Sequence, residues 1–98
     1  MESLGVINCE LFSFGRLCAT PGALRALDET EADLKTLLDR HAQGDWGTVG
    51  REDWEANDAA VMEGSRVFSA YRLPDDSKVW IITEADRSVT TVLLPEDY

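Results

Sequence analysis

Several polar residues of this chain are of the types that metal-independent ribonucleases use. In such enzymes a His or Glu moves the 2'-hydroxyl proton, and an Arg holds the phosphate. His41, Arg87 and Thr90 could supply these groups. The candidates comprise one imidazole, one amide, two carboxylates, two guanidinium groups and two hydroxyls: His41, Asn57, Asp45, Glu84, Arg66, Arg87, Thr90 and Thr91. A small endoribonuclease, or an inactive relative of one, is therefore one hypothesis.

A structural role is the competing interpretation of each candidate. His41 lies on the apolar stripe of a predicted helix, where a histidine is usually hydrogen-bonded in the core. Asn57 lies on the buried side of another predicted helix and is expected to tie down the loop of residues 45–47. Arg87 is expected to pair with a neighbouring carboxylate, and the threonines are interpreted as ordinary strand residues. An enzyme that collects RNA also needs a positive groove, which the charge of this chain opposes.

Signatures of other chemistries are missing from the sequence. It contains no Gly-rich phosphate loop, no cluster with metal-ligand spacing, and no Ser-His-Asp or Cys-His arrangement. We therefore predict neither a cofactor nor a metal. Cys9 and Cys18 are expected to be reduced, partly buried thiols, since a disulfide between them would be unusual in a reducing compartment.

The strongest feature of the composition is negative charge, which totals -10. Residues 28–63 contain eleven acidic and three basic residues, a net charge of -8. Such a field repels nucleic acid and attracts basic surfaces, especially those that bind nucleic acid themselves. The residues predicted to bind a partner are the carboxylates of two predicted helices and their flanks: Glu31, Asp33, Asp39, Glu52, Asp53, Glu55, Asp58 and Glu63.

A solvated helix face is the ordinary alternative for such a run of charge. Helix faces usually mix signs, however, because like charges one turn apart are mildly destabilising. Rows of side chains about 5 to 6 Å apart on two parallel helices would also roughly imitate the spacing of phosphates on DNA. Both interpretations remain open.

Hydrophobic periodicity and turn residues predict one domain, residues 1–98, with an α+β fold. We expect two to three helices on one side of a three- to four-stranded antiparallel sheet that ends in a C-terminal meander. The predicted strands cover residues 7–19, with a bend at Gly15, 66–73, 78–84 and 89–94; the predicted helices cover 21–27, 30–43 and 52–63. The predicted core consists of Leu34, Leu37, Leu38, Trp54, Val61, Phe68, Trp80 and Ile82.

The apolar runs are far shorter than the roughly 20 residues of a membrane span, and no basic region leads into an apolar segment at the N-terminus. A cytoplasmic, monomeric protein is therefore expected.

Four segments carry a resemblance to known proteins: residues 17–26, 41–47, 69–74 and 80–98. They resemble a family of small plasmid-related proteins, and in size and charge the chain also resembles the anti-CRISPR proteins that inhibit type I-C systems. That second resemblance implies a non-enzymatic DNA mimic that blocks a subunit of a type I CRISPR surveillance complex, with no catalytic residues. The leading hypothesis is such an inhibitor. The endoribonuclease encoded on a mobile element is the alternative.

Overall fold

Three helices separate the first strand from the last three in the computed structural model, which describes residues 10–98. The elements are β1 (Arg16–Ala19), α1 (Pro21–Glu29), α2 (Leu34–Ala42), α3 (Arg51–Glu63), β2 (Val67–Arg72), β3 (Lys78–Thr83) and β4 (Val89–Leu93). A short 3-10 turn, Pro95–Asp97, follows. The predicted α+β fold is confirmed. None of the helices in residues 10–98 is long and apolar enough to cross a membrane.

Local signals explain where the helices begin and end. Thr20 caps α1 as predicted, because its hydroxyl accepts the Ala23 N–H at 3.1 Å. The predicted start of α2 at Thr30 is wrong, since the Thr30 hydroxyl instead donates to the Ala26 carbonyl at the end of α1. Asp33 caps α2, and Gly64, with a φ of 76°, ends α3.

The sheet has the strand order β1-β4-β3-β2. The last three strands form the predicted antiparallel meander. The expectation of a wholly antiparallel sheet is wrong, because β1 pairs parallel to β4. The chain between β1 and β4 contains three helices and two strands, which gives the long crossover that a parallel pair needs and that a tight turn cannot provide.

The first strand is much shorter than predicted. It begins at Arg16, whereas the prediction began at residue 7, and residues 7–9 lie outside the described part of the chain. The segment before β1 leaves the sheet because Phe12 and Phe14 pack against the His41 ring. The predicted bend at Gly15 is confirmed: its φ is 66°, and a Cβ there would collide with the carbonyl groups of Arg87 and Ser88.

The sheet has two different faces, because side chains alternate along each strand. One face carries Tyr71, Val79, Ile81 and Val92, which form the main core with Ala23 and Leu27 of α1 and Leu37 of α2. The helices therefore lie on one side, as predicted. We call the other side the open face.

Only part of the predicted core is buried. Leu37 and Ile82 are buried, but six residues remain half-buried: Leu34, Leu38, Trp54, Val61, Phe68 and Trp80. Phe68 and Trp80 are half-buried because they belong to the open face. Trp46, absent from the prediction, has no exposed surface and joins Ala60 and Val67 in a second core cluster.

The outer edge of β2 is closed by side-chain and loop contacts. The Asn57 amide donates to the Phe68 carbonyl at 2.6 Å, and its oxygen accepts the Phe68 N–H at 3.0 Å. Further along the edge, Ala70 bonds to the backbone of Trp46 and Thr48. Asn57 therefore does not tie down the loop of residues 45–47 as expected. It takes the place of a neighbouring strand and satisfies backbone groups that could pair with another chain.

Candidate functional site

His41, the central residue of the ribonuclease hypothesis, is fully buried between α2 and the sheet. Its Nδ1 lies 2.5 Å from Ser69 Oγ, and its Nε2 lies 3.0 Å from Thr83 Oγ1. Thr83 Oγ1 is 2.7 Å from Thr90 Oγ1, which donates to the Phe14 carbonyl at 2.9 Å. The threonines are thus members of a buried hydrogen-bond chain, a role that their strand positions alone did not indicate.

The direction of this chain follows from the number of protons. Thr90 uses its one hydroxyl proton on the Phe14 carbonyl, so its oxygen accepts from Thr83. Thr83 donates its own hydroxyl proton to Thr90, so the Thr83 oxygen accepts from His41 Nε2–H. His41 Nδ1 therefore accepts from the Ser69 hydroxyl. His41 is the neutral Nε2–H tautomer, and both of its ring nitrogens are occupied.

The surroundings of His41 keep it uncharged. Burial, assisted by the positive charge of Arg87, lowers the pKa of His41 from 6.5 to about 3. Phe12, Phe14 and Trp46 pack around the ring with centroid distances of 5.2, 5.9 and 5.6 Å. The expectation of a hydrogen-bonded core histidine is therefore confirmed, with both ring nitrogens bonded and no exposed surface.

Arg87 holds the end of α3 to the second hairpin turn. Its guanidinium donates to the carbonyls of Ser65, Ala60 and Glu84 at 2.7, 3.0 and 3.3 Å. The expected pairing of Arg87 with a carboxylate is therefore wrong. The cation stabilises the negative end of α3 instead. It is Arg66 that approaches the Glu84 carboxylate, at 3.6 Å.

The remaining ribonuclease candidates do not converge on His41. Asp45 pairs with Arg40 at 2.7 Å, a hydrogen bond that lowers the Asp45 pKa. Asn57 lies at the β2 edge, and Thr91 belongs to the open face. The structure therefore brings together His41 and Thr90, linked through Thr83, but assembles no RNA-accessible acid–base site from the set. In residues 10–98, no three His, Cys, Asp or Glu side chains are grouped as metal ligands.

The predicted partner-binding carboxylates fall into two groups, although all but the half-buried Asp39 are exposed. Four of them have local partners. Asp33 caps α2, Asp39 pairs with Lys35 at 3.1 Å, Glu55 pairs with Arg51 at 3.4 Å, and Asp58 accepts the Trp46 indole N–H at 2.9 Å. The pairs Lys35–Asp39 and Arg51–Glu55 have the i, i+4 spacing that a sequence can reveal, whereas the contact of Asp58 with Trp46 depends on the loop between α2 and α3.

Glu31, Glu52, Asp53 and Glu63 form the second group, which we call the unpaired carboxylates. They form no ion pair or side-chain hydrogen bond with any residue that the structure describes. Glu52 and Asp53 lie in the first turn of α3, where the helix dipole favours them. Glu63 lies at the opposite end, where the same dipole is unfavourable. Glu63 lies eleven positions after Glu52, about 16 Å along the helix axis.

The two cysteines are only partly covered by the structure. Cys18 is a half-buried free thiol, as predicted, whereas Cys9 lies outside the described residues.

An aromatic pocket on the open face is the site that sequence reasoning missed. It has a volume of about 310 Å³ and is lined by Arg66, Phe68, Trp80, Ile82 and Tyr98. Arg66 directly precedes β2. Phe68 in β2 and Trp80 and Ile82 in β3 share one face by strand alternation, a signal that was present in the sequence. Their apolar character led to a core assignment instead.

Comparisons of the chain with protein-family models, with curated proteins and with solved structures found no match. The function is therefore inferred from the residues of the two surfaces just described.

Proposed function

We propose that this protein is a non-enzymatic cytoplasmic inhibitor that binds the basic nucleic-acid-binding surface of another protein through the acidic surface of α2 and α3. A subunit of a type I CRISPR surveillance complex is the partner to test first, because of the resemblance to anti-CRISPR proteins. The inhibitor would occupy the channel that normally receives DNA and would act as a monomer.

The unpaired carboxylates are the observation that carries this proposal. A carboxylate that already has a cationic neighbour must give up that contact, or share it, before a partner can use it. The unpaired carboxylates have no such contact to give up among the residues that the structure describes. At the C-terminal end of α3 the Arg87 guanidinium donates to carbonyl groups and forms no ion pair with the Glu63 carboxylate, which stays available to a basic partner.

Helical spacing supports a DNA-like surface. Glu52 and Glu55 follow the i, i+3 spacing of about 5 to 6 Å, roughly that of phosphates on one strand, although Arg51 partly neutralises Glu55. The chemistry that would be needed for the alternative, the endoribonuclease, has no comparable support. His41 is buried and uncharged, and Arg87 is committed to three carbonyl groups.

A competition experiment tests the proposal directly. Purified type I surveillance complex is incubated with labelled target DNA and increasing amounts of the protein, at low and high salt. We expect the protein to displace DNA, and its affinity to fall steeply with salt, because exposed charges are screened over about 10 Å at 0.1 M. A ternary complex that retains DNA would overturn the competitive mechanism. Affinity that does not change with salt would overturn the acidic surface as the contact.

A further inference from the structure

The open face of the sheet carries a concave site with aromatic walls. Phe68 and Trp80 pack edge to face with ring centroids 5.0 Å apart, and Trp80 meets Tyr98 in the same way at 5.8 Å. These contacts fix the orientation of the three rings and leave a cavity of about 310 Å³ beside them. Tyr98 is 70% exposed, so the cavity opens directly to solvent.

The rim of this pocket is basic, in contrast to the chain as a whole. Arg66 donates to the Tyr98 hydroxyl at 3.1 Å and lies 5.5 Å from the centre of its ring. Arg72 and Lys78 are exposed partners across β2 and β3, in register with the face that carries Trp80. Glu84, the acidic residue beside them, already approaches Arg66. Glu84 partly neutralises Arg66, but Arg72 and Lys78 form no ion pair with any residue that the structure describes, and these two cations favour an anionic ligand.

We propose that this pocket binds an acidic peptide segment by one aromatic side chain. The ring of that side chain enters the cavity against Phe68, Trp80 and Tyr98, and carboxylates on either side of it pair with Arg66 and Lys78. Aromatic anchors in pockets with a charged rim are a common way of binding a short peptide segment. This proposal concerns the opposite side of the sheet from α2 and α3 and does not depend on the proposed inhibitor function.

The shape and charge of the site favour a peptide over other ligands. An open cavity covers only part of a small molecule, whereas a peptide gains further contacts along the rim. Single-stranded nucleic acid could stack on the rings, but it carries a charge on every nucleotide and would extend over the acidic remainder of the chain, whereas a peptide can confine its few carboxylates to the residues beside the anchor. A cationic side chain would enter a site whose rim already holds the Arg66 guanidinium.

Chemical-shift perturbation of the full chain tests this proposal with four probes. The first is the peptide acetyl-Glu-Asp-Phe-Asp-Glu-amide. The second replaces Phe by Ala, the third replaces the four acidic residues by Lys, and the fourth is a short oligouridine. The indole N–H signal of Trp80 reports on the pocket. The signal of Trp46, which is buried on the other side of the sheet, is the internal control.

We expect the acidic Phe peptide to shift the Trp80 signal and not that of Trp46. Tyr98→Ala and Arg66→Gln should each weaken binding about fivefold or more, since each removes one wall or one charge of the site. Arg25→Gln, on the exposed side of α1, is the matched charge control and should leave binding unchanged. The same spectra show whether each variant remains folded.

Four results would overturn the proposal. They are the absence of a Trp80 shift at about 1 mM peptide, equal binding of the Ala peptide, preference for the Lys peptide or for oligouridine, and unchanged binding by Arg66→Gln.

Discussion

Asp76 and Arg87 occupy equivalent positions in two turns of the same geometry. Their φ angles are 70° and 59°, and their N–H groups donate to the carbonyls of Leu73 and Glu84, both at 2.9 Å. The surrounding sequence is also alike, with an Asp before and a Ser after each residue. In both turns the Asp carboxylate accepts the N–H of that Ser at 3.0 Å. Both hairpins of the meander therefore have the same turn structure, with the same hydrogen bonds.

Substitution by glycine should nevertheless change the stability of the protein in opposite directions at the two positions. Asp76→Gly should stabilise the protein by up to about 1 kcal/mol, because glycine accepts a positive φ without the strain of a Cβ. Arg87→Gly relieves the same strain but removes three hydrogen bonds to carbonyl groups, and should destabilise it by about 1 to 3 kcal/mol. Urea unfolding of both variants measures the difference. Equal effects would show that the Arg87 guanidinium does not hold α3 in place.

The buried His41 predicts how stability depends on pH. The folded pKa of about 3 lies below the ordinary 6.5, so the unfolded state binds more protons between these values. The contribution of His41 is complete above pH 6.5 and is lost as the pH falls towards 3, by up to about 1.4 kcal/mol per pH unit. His41 is the only histidine, so its NMR signals are unambiguous. An imidazole that titrates near 6.5 in the folded protein would contradict the buried, neutral state.

Two threonine substitutions test the hydrogen-bond chain. Thr83→Val should cost about 1 to 3 kcal/mol, because it leaves the buried His41 Nε2–H without an acceptor. Thr91→Val, on the open face of the neighbouring strand, should change stability by less than about 0.5 kcal/mol. Thermal unfolding compares the two. A small effect at Thr83 would argue against the assigned Nε2–H tautomer.

Asn57→Ala should both destabilise the protein and expose a pairing edge. It removes two hydrogen bonds to Phe68, at an expected cost of about 1 to 3 kcal/mol. It also frees backbone groups of β2 for another chain, so light scattering should rise with protein concentration. Glu55→Ala, on the exposed side of the same helix, is the control and should do neither. Asn57→Ala with unchanged stability would mean that the edge is protected by the loop alone.

Neutralising the unpaired carboxylates should weaken partner binding and preserve the fold. The variant combines Glu31→Gln, Glu52→Gln, Asp53→Asn and Glu63→Gln. A charge-matched control carries Glu10→Gln, Asp75→Asn, Asp76→Asn and Glu96→Gln, which are exposed and lie outside the acidic segment of residues 28–63. Affinity for the surveillance complex measures the effect. Equal losses in both variants would mean that only total charge matters, and no loss in the first would contradict the proposed surface.

Elements with strong local signals were predictable from the sequence. Thr20 with Pro21 marks the start of α1, Gly64 marks the end of α3, and the turn residues separate the meander strands. Interactions between segments that are distant in the sequence could not be predicted. Trp46 looked like a loop residue, yet its burial depends on Phe12, on α3 and on β2 together. The parallel pairing of β1 likewise depends on the path of three helices.

The candidate sites, too, could be predicted from the sequence only where they do not depend on contacts between distant segments. Composition alone located the acidic surface, but it could not separate Glu52, which has no partner among residues 10–98, from Asp58, which bonds to Trp46. The pairing of Asp58 appears only when the loop before α3 is folded. The aromatic pocket needed the register of β2 and β3, which places Phe68 and Trp80 together on one face.

The separation of acidic helices from a basic pocket rim gives the molecule a permanent electric dipole across the sheet. In the field of a positively charged partner, that dipole produces a torque that turns α2 and α3 towards the partner before contact. The pocket beside Trp80 then faces away, into solvent. If both proposed surfaces bind their ligands, this orientation would leave the pocket open while α2 and α3 are covered, and the protein would connect two molecules that have no affinity for each other.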